Sequence, residues 1–571
     1  MNEQQYLDHL KALHSANWPA EISREPVYPL GEIALTDYLR QRAAETPDRS
    51  VCIFYGYELS FARLNQQSDA FAAVLQQHGV KRGDRVGVML PNCPQFLVAF
   101  FAILKLDAIH VPVNPLFKPA ELQYQLNDAG VKVMVALNQL VPAIKAVRDN
   151  TSLELLFTTS MSEHLPPEPT IPIPDSIRLP NLPVNLEWAF DFQTVIDSAP
   201  EIEITAGRDL DAPAVLNYTG GTTGLPKGCI HTQRDMIYTA ACIQSAASVS
   251  SGSNQVSLNF MPVFWISGQT TIIVLPVFSG NPTVMMSRWD AVGFMKAIEH
   301  YQVTATGGLV DTIAEVLDHP DVEKFDLRSL QVTICSSFVK KLNIEYRSRW
   351  QKLTGSPLFE TGWGMTETHS FDTFTAGMQA NNFDLSSEPV FVGIPAPGTE
   401  IKVCDFSTGE ILPLGEKGEI CLRSPSVFKG YWSTDISSDS SLRDGWLHTG
   451  DIGMFDEQGY LHYLGRNKEM IKVNGMSVFP AEIESLLAQN PAINGSAVIP
   501  RADEERGQVP VAFVRLTEKA KADGVTNLEL NQWCKENIAS YKIPEVIILD
   551  QFPLTVTGKV IKHELVKLLP N

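Results

Sequence analysis

Short β-type runs alternate with helical patterns from about residue 50 to residue 340, and this alternation constrains the fold more than any other feature. Runs of β character at 85–89, 131–135 and 214–218 are interleaved with amphipathic stretches at 62–77 and 120–129. Strands and helices in such an order bury their apolar faces against one another in layers. The sequence therefore predicts a layered α/β body.

The pattern changes twice toward the C-terminus. Between about 390 and 465, short strands and glycine-rich turns predict a small β-rich subdomain that belongs to the body. From Lys468 onward about 100 residues mix strands with helices and predict a separate α+β unit. We therefore expect an N-terminal domain over 1–466 and a small C-terminal domain over 467–571.

Charge and composition exclude several classes of function. A formal net charge of −20 opposes binding to nucleic acid, which needs a basic face. The eight cysteines include no CxxC pair and predict neither a disulfide framework nor a zinc site. The most apolar early stretch, 96–104, is far shorter than the ~20 residues of a membrane span. We expect a cytoplasmic protein without a transmembrane segment. The sequence leaves open whether the protein forms a homo-oligomer.

The strongest local signal is residues 218–228, which read YTGGTTGLPKG and follow an apolar run. Glycines let backbone N–H groups approach a polyphosphate, while threonine hydroxyls and Lys227 add donors and a positive charge. Pro226 and Gly228 flank the lysine, so the segment is not a Walker A loop, which needs Gly-Lys-Ser/Thr. The loop predicts a nucleotide site.

This loop resembles the phosphate-binding loop of the adenylate-forming superfamily, which includes acyl-CoA synthetases, peptide-synthetase adenylation domains and firefly luciferase. Four further segments match that family in order: 362–368 (GWGMTET) is similar to its second nucleotide motif, 445–453 (GWLHTGDIG) to its ribose motif, 465–472 (GRNKEMIK) to its hinge and 553–559 (PLTVTGK) to its C-terminal lysine loop. The resemblance covers nearly the whole chain and implies an AMP-forming acyl-CoA synthetase.

The resemblance also implies roles for individual residues. Thr366 would contact the α-phosphate, Glu367 would help to bind Mg²⁺, and Lys559 would bridge the substrate carboxylate and the α-phosphate. Trp363, where tyrosine is common, would offer a flat face to adenine, with a core tryptophan as the alternative. Asp451 would accept the ribose hydroxyls with help from Arg466. The phosphates would lie on the first loop: Thr219, Gly220, Gly221, Thr222, Thr223, Gly224 and Lys227.

Two half-reactions need two arrangements of one site, because the thiol must attack where the catalytic lysine lay. The family solves this by rotating its C-terminal domain, so the resemblance implies that the small domain is mobile. Lys468 corresponds to the hinge position. Gly475 corresponds to the wall of the tunnel for the CoA thiol, where a side chain would obstruct passage; a simple turn glycine is the alternative.

The sequence departs from the family pattern where the acyl group would lie. Trp265 replaces a histidine and predicts an apolar gate, with a core tryptophan as the alternative. Ser336 and Ser337 lie in a region usually rich in glycine and alanine beside the acid. Asp311 replaces a frequent proline and suggests either a polar contact to the acid or to CoA, or the N-cap of a helix from Thr312.

These residues predict an enzyme that ligates a carboxylic acid to CoA, with ATP and CoA as co-substrates and a fatty or other apolar acid favoured. The alternative is an acyl-AMP ligase that loads a carrier-protein thiol. A luciferase-like oxygenase and a non-catalytic nucleotide-binding scaffold are more distant alternatives. The scaffold is opposed by the joint presence of Lys559, Glu367 and Asp451, since a scaffold has no need of the lysine.

Overall fold

Two mostly parallel seven-stranded sheets form the body of the protein in a computed structural model, which describes residues 2–178, 181–219, 225–246, 255–386, 390–433, 441–474, 476–555 and 558–569. In each sheet only the last pair of strands is antiparallel. The first sheet has the order Leu358–Glu360, Val332–Ser336, Ala305–Leu309, Ser257–Asn259, Thr283–Met285, Ser50–Phe54, Tyr57–Ser60. The second has the order Ala189–Asp191, Leu155–Thr159, Val133–Leu137, Arg85–Met89, Ile109–Pro112, Pro213–Tyr218, Gly228–Thr232.

Helices connect and cover these strands, as parallel pairing requires. The α-helices of the body within the described residues are Glu3–Asn17, Leu35–Glu45, Phe61–Gln77, Pro94–Lys105, Pro119–Ala129, Val141–Arg148, Phe192–Asp197, Gln233–Ala246, Ile266–Gln269, Leu275–Ser279, Ala291–Tyr301, Val310–Leu317, Ile344–Thr354 and Phe383–Ser386, and a π-helical segment, Thr270–Val274, joins the ninth of these to the tenth. Short 3-10 turns occupy Asn138–Leu140, Met161–His164, Asp175–Ile177, Val322–Lys324, Thr366–Thr368 and Ala380–Asn382.

The helix Pro94–Lys105 contains the most apolar early stretch and is buried at every position. It belongs to one core cluster with residues of both sheets, including Val284 of the first and Val88 of the second. Apolar residues all around a helix suit burial on every side. Its one charge, on Lys105, is buried and paired with Asp69 at 2.7 Å. Among the described residues, no helix is both long and apolar enough to cross a bilayer.

The predicted β-rich subdomain is an antiparallel sheet. Its order is Thr373–Phe374, Phe391–Pro395, Leu461–Arg466, Trp446–Phe455, Gly418–Arg423, Glu400–Cys404, and Leu442–Arg443 pairs with Trp446–Phe455. The N-terminal helix Glu3–Asn17 packs on this sheet, where Lys11 lies 2.7 Å from Glu400. The strand Trp446–Phe455 carries the predicted ribose motif, and its neighbour Leu461–Arg466 places Arg466 opposite Asp451.

The chain after residue 470 builds a sheet of its own, in the order Met476–Val478, Ile471–Val473, Gly507–Leu516, Ile493–Asp503, with Glu545–Ile548 parallel to Gly507–Leu516. Its helices are Pro480–Leu487, Glu518–Ala522, Asn527–Asn537 and Lys562–Val566, and the 3-10 turn Asn467–Glu469 precedes it. The predicted fold class, a layered α/β body with a β-rich part and a small α+β C-terminal part, is confirmed. The domain limits at 466 and 467 stay a prediction.

Candidate adenylation site

The glycine–threonine loop leaves one strand of the second sheet and returns antiparallel to it. Thr219 follows the strand Pro213–Tyr218 and bonds twice to Lys227: its N–H donates to the Lys227 carbonyl at 2.9 Å, and its hydroxyl accepts from the Lys227 N–H at 3.2 Å. Lys227 is exposed, and its ammonium lies 4.7 Å from the centre of the Tyr431 ring. The predicted loop residues Gly220, Gly221, Thr222, Thr223 and Gly224 lie outside the described residues.

The second nucleotide motif is held against this loop by two side chains from elsewhere. The Nε2 atom of His231, on the strand that follows the loop, lies 2.7 Å from the Thr366 carbonyl. Glu367 is buried, and its Oε1 accepts a hydrogen bond from the Tyr431 hydroxyl at 2.8 Å. Tyr431 therefore contacts both Lys227 and Glu367, which places a lysine and a carboxylate on one aromatic side chain.

The predicted ribose acceptor Asp451 is buried and oriented by two partners. The indole N–H of Trp363 donates to Oδ2 at 3.1 Å, and Nε of Arg466 lies 2.9 Å from Oδ1. Burial raises the pKa of the Asp451 carboxyl to about 6, against the opposing effects of Arg466 and Trp363. Trp363 is itself buried in the apolar cluster of the β-rich subdomain, which was its alternative interpretation, and its contact with adenine stays a prediction.

Lys559 of the C-terminal part reaches this same site. Its ammonium lies 5.0 Å from the centre of the Phe338 ring, on the body. Desolvation by the surrounding protein lowers the pKa of Lys559, as does the positive charge of Arg466, while Asp451 acts in the opposite direction. The exposed Lys468 lies in the turn Asn467–Glu469 that joins the two parts. The described residues of the five motifs thus surround one region.

Comparisons with known proteins agree with this geometry. A family model described as "AMP-binding enzyme" matches residues 39–432, and one described as "AMP-binding enzyme C-terminal domain" matches residues 482–559. The first match alone spans more than half of the chain. This chain belongs to the AMP-binding enzyme family. The recognition made from the five motifs is confirmed.

Relatives of this AMP-binding enzyme resemble it over nearly their full length. A long-chain-fatty-acid–CoA ligase from Bacillus subtilis is 32% identical, with 97% of each chain covered. A crystal structure of an anthranilate CoA ligase with anthranoyl-AMP superposes with a TM-score of 0.79 at 25% identity, covering 95% of this chain and 98% of the other. An o-succinylbenzoate CoA synthetase from Bacillus subtilis with ATP and magnesium gives a TM-score of 0.75 at 26% identity, over 93% and 99%. The prediction of an enzyme that ligates an acid to CoA through an acyl-adenylate is confirmed.

The residues predicted for the acid pocket lie on or next to three different elements of the AMP-binding enzyme. Ser337 binds Glu360 through its hydroxyl and through its N–H, the latter at 3.1 Å, and the Ser336 hydroxyl lies 3.3 Å from that of Thr361. Trp265 is partly buried, precedes the helix Ile266–Gln269 and meets Phe264 edge-on at 5.7 Å.

Asp311 corrects one expectation from the sequence. It is not an N-cap: the helix begins at Val310, and Leu309 occupies the cap position. The hydroxyl of Thr312 accepts from the Leu309 N–H at 3.2 Å and donates to the Leu309 carbonyl at 2.8 Å, so threonine supplies the local bonds of the first turn. The Asp311 carboxylate instead accepts from the Lys340 N–H at 3.2 Å and lies 3.4 Å from Arg515.

Sequence reasoning missed the residues that support the ribose turn. Glu419 is buried; its Oε1 accepts from the Gly450 N–H at 3.0 Å, and its Oε2 lies 2.8 Å from Nδ1 of His448. Gly450 precedes the ribose acceptor Asp451. The signal available in the sequence was a glutamate in an apolar strand run, GEICLR at 418–423, because a buried carboxylate needs partners.

Proposed function

We propose that this AMP-binding enzyme activates a long-chain fatty acid and passes its acyl group to CoA, releasing AMP and pyrophosphate. The proposal of the acid rests on the similarity to the Bacillus subtilis ligase and on the apolar gate predicted at Trp265. The observation that carries the mechanism is the position of Lys559: its ammonium lies 5.0 Å from the centre of the Phe338 ring on the body, near enough to Asp451 and Arg466 for their charges to shift its pKa in opposite directions. It joins the C-terminal loop and the ribose motif at one site.

In the first step a carboxylate oxygen attacks the α-phosphorus of ATP, and the bond from that phosphorus to the pyrophosphate oxygen breaks. Both reactants are anions, so the site must supply positive charge at the point where they meet. Lys559 would bridge the carboxylate and the α-phosphate, and Lys227 would bind the departing phosphates. Thr366 would donate from its hydroxyl to the α-phosphate. Asp451, fixed by Trp363, would hold the ribose so that the phosphorus faces the acid.

Magnesium fits the residues around Glu367. A buried carboxylate is a suitable ligand for a hard cation, and the Tyr431 hydroxyl fixes one oxygen of Glu367, while no hydrogen bond from the described residues engages the other. Glu367 would therefore hold Mg²⁺, which when bound supplies positive charge against the triphosphate. The remaining charge is provided by the chain itself, through Lys227 and Lys559.

In the second step the thiol sulfur of CoA attacks the acyl carbon, the bond from that carbon to the AMP oxygen breaks, and the thiol proton leaves to solvent. This attack needs the space that Lys559 occupies. We propose that the domain after residue 466 rotates at Lys468 between the two steps, and that Gly475 then lines the path of the thiol. Trp265, Ser336 and Ser337 are proposed to shape the acid pocket.

The decisive test measures the first step alone. Lys559→Ala should abolish fatty-acid-dependent exchange of pyrophosphate into ATP while ATP still binds, because the lysine acts on the reacting groups. Lys567→Ala is the matched control, since Lys567 is an exposed lysine of the same domain that pairs with Glu564. Near-normal exchange in Lys559→Ala would refute the assigned role.

The acid and the thiol acceptor are identified by one panel. Release of AMP is measured with CoA across short, medium and long fatty acids and aryl acids, because both solved relatives above are named for aromatic acids. The proposal expects the highest kcat/KM with a long fatty acid. A preference for aryl acids would replace the substrate class, and acyl-AMP that persists with CoA but clears with a pantetheinylated carrier protein would replace CoA as the acceptor.

A further inference from the structure

A side chain of the body is inserted into the core of the C-terminal domain. Val339 follows the strand Val332–Ser336, yet it is only 2% exposed because it packs within a cluster made otherwise of C-terminal residues: Ala497, Ile499, Val511, Phe513, Phe552 and Leu565. A Cβ atom added at Gly495 would lie 2.6 Å from Cγ1 of Val339. The absence of a side chain at Gly495 therefore makes the space that Val339 fills.

A charged contact lies beside this apolar one. Asp311, on the body, is 3.4 Å from Arg515, which belongs to the C-terminal strand Gly507–Leu516. Both side chains are largely shielded, with exposed fractions of 28% and 23%, so solvent screens the pair less than a surface pair. Asp311 also accepts from the Lys340 N–H, which ties the ion pair to the residue that follows Val339.

The same short segment reaches the reacting groups. Val339 directly follows Ser337 and Phe338. Ser337 is predicted for the acid pocket, and the Phe338 ring contacts the Lys559 ammonium. Next to Lys559, a Cβ atom at Gly558 would lie 2.7 Å from a methyl group of Leu309, so the lysine loop also fits closely against the body. The packing of Val339 and the position of Lys559 thus depend on the same contact surface between the body and the C-terminal domain.

We infer that Val339 and Asp311 are positioning residues for adenylation: they bind the C-terminal domain in the arrangement that brings Lys559 to the acid and the α-phosphate. The inference rests on the proposed two-step function. Because the thiol attack needs the domain to move away, these contacts must break before the second step. Their strength therefore sets how the enzyme divides its time between the two half-reactions.

The two half-reactions are measured separately. Asp311→Asn and Arg515→Gln should lower acid-dependent pyrophosphate–ATP exchange by roughly two- to fivefold, the size expected for a partly shielded ion pair. Conversion of supplied acyl-AMP and CoA into acyl-CoA should stay unchanged or become faster. The effect is partial because other contacts cross the same boundary, such as Lys417 with Glu482 at 2.9 Å.

The helix that bears Asp311 offers a matched control. Asp318, directly after its C-terminal end, pairs at 2.6 Å with Arg349, which lies in the same domain. Asp318→Asn removes the same charge without touching the contact and should change neither half-reaction. The charge-reversed double variant Asp311→Arg/Arg515→Asp should recover exchange relative to either single change. An equal fall in both half-reactions, or no fall in either, would overturn the inference.

A reversible cross-link tests the geometry directly. Val339→Cys/Gly495→Cys places two thiols within reach of a disulfide, and all eight natural cysteines are buried and therefore poorly accessible to a mild oxidant. Oxidation should block formation of acyl-CoA, preserve exchange, and be reversed by a reductant; the two single variants should be unaffected by the oxidant. Failure to form the disulfide, or loss of exchange on oxidation, contradicts the inference. A wild-type enzyme without acid-dependent exchange would instead refute the proposed function.

Discussion

The indole N–H of Trp363 donates a hydrogen bond to Oδ2 of Asp451 at 3.1 Å, so the second nucleotide motif fixes the ribose motif directly. The two residues are 88 positions apart in the chain, and both are buried. The second carboxylate oxygen faces Arg466. A substitution that removes the indole N–H therefore removes one of the two groups that orient the ribose acceptor.

Trp363→Phe should weaken binding of ATP and AMP by roughly tenfold or more, because hydrogen bonds to charged groups contribute about 1.5–3 kcal/mol. Calorimetric titration of the enzyme with AMP measures this. Trp289→Phe is the control, since Trp289 donates to the carboxylate of Glu315 at 2.7 Å on the exposed side of the body. Equal AMP affinity in both variants would mean that the bond to Asp451 does not orient the ribose.

The buried carboxyl of Asp372 should make the free energy of unfolding depend on pH in a specific way. Burial raises the pKa of its carboxyl to about 8 from an ordinary value of 3.8, and the nearby Glu367 acts in the same direction. The folded state therefore holds a proton between these pH values that the unfolded state has lost. The stability that this proton confers is complete below about pH 4 and is lost as pH rises through about 8.

Asp372→Asn should remove this dependence, so that the variant loses less stability than the wild type between pH 5 and pH 8. The difference corresponds to about 1.4 kcal/mol per pH unit in the range where Asp372 is protonated in the folded state and ionised in the unfolded state. Thermal unfolding midpoints recorded at several pH values provide the measurement. Asp326→Asn, at an exposed position, should follow the wild type. Parallel profiles for the wild type and Asp372→Asn would exclude a protonated Asp372.

Loss of the Glu419 side chain should weaken ATP binding, because Glu419 holds the backbone next to the ribose acceptor Asp451. Glu419→Ala leaves the partly buried Gly450 N–H without its acceptor, which costs up to about 1–3 kcal/mol, the range for a fully buried donor. We expect a raised KM for ATP with a smaller change in kcat. Glu419→Gln should be milder, because its amide oxygen can still accept from Gly450. If the two variants raise KM equally, the bond to Gly450 is not what places Asp451.

The fold was predictable because its signals are local. The periodic stretches at 62–77 and 120–129 correspond to the helices Phe61–Gln77 and Pro119–Ala129. The strand predicted at 131–135 is Val133–Leu137 in the structure, since Gly130 ends the preceding helix with a φ of 63° and the chain needs two more residues to enter the sheet. Such shifts arise from turn geometry, which periodicity does not encode.

The site was predictable only as motifs. Lys559, Glu367 and Asp451 could be proposed because each lies in a recognisable segment. The contacts that support these residues could not be predicted, because they join segments that are distant in the sequence. Tyr431, for example, contacts both Lys227 and Glu367. Asp311 shows the same limit. Its partner Arg515 lies 204 residues later and contacts it only where the two domains meet, so the local interpretation as a helix cap was wrong.

Gly475 permits a prediction that separates two interpretations. It lies outside the described residues, between two strands that pair Val473 with Met476. Asn474 has a φ of 51°, and Asn-Gly is a preferred sequence for a two-residue hairpin connection, so a turn requirement is the alternative to a thiol tunnel.

The tunnel hypothesis expects size to matter: Gly475→Leu should spare pyrophosphate exchange and lower acyl-CoA formation far more than Gly475→Ala does. If the turn instead requires glycine, alanine and leucine should impair the enzyme to a similar degree, because any Cβ atom opposes a positive φ. Both variants should then also lower the thermal unfolding midpoint. Exchange, acyl-CoA formation from supplied acyl-AMP, and unfolding are therefore measured for both variants. Only a graded loss confined to the second half-reaction supports a path for the thiol at this position, because that is the step in which CoA must reach the acyl carbon.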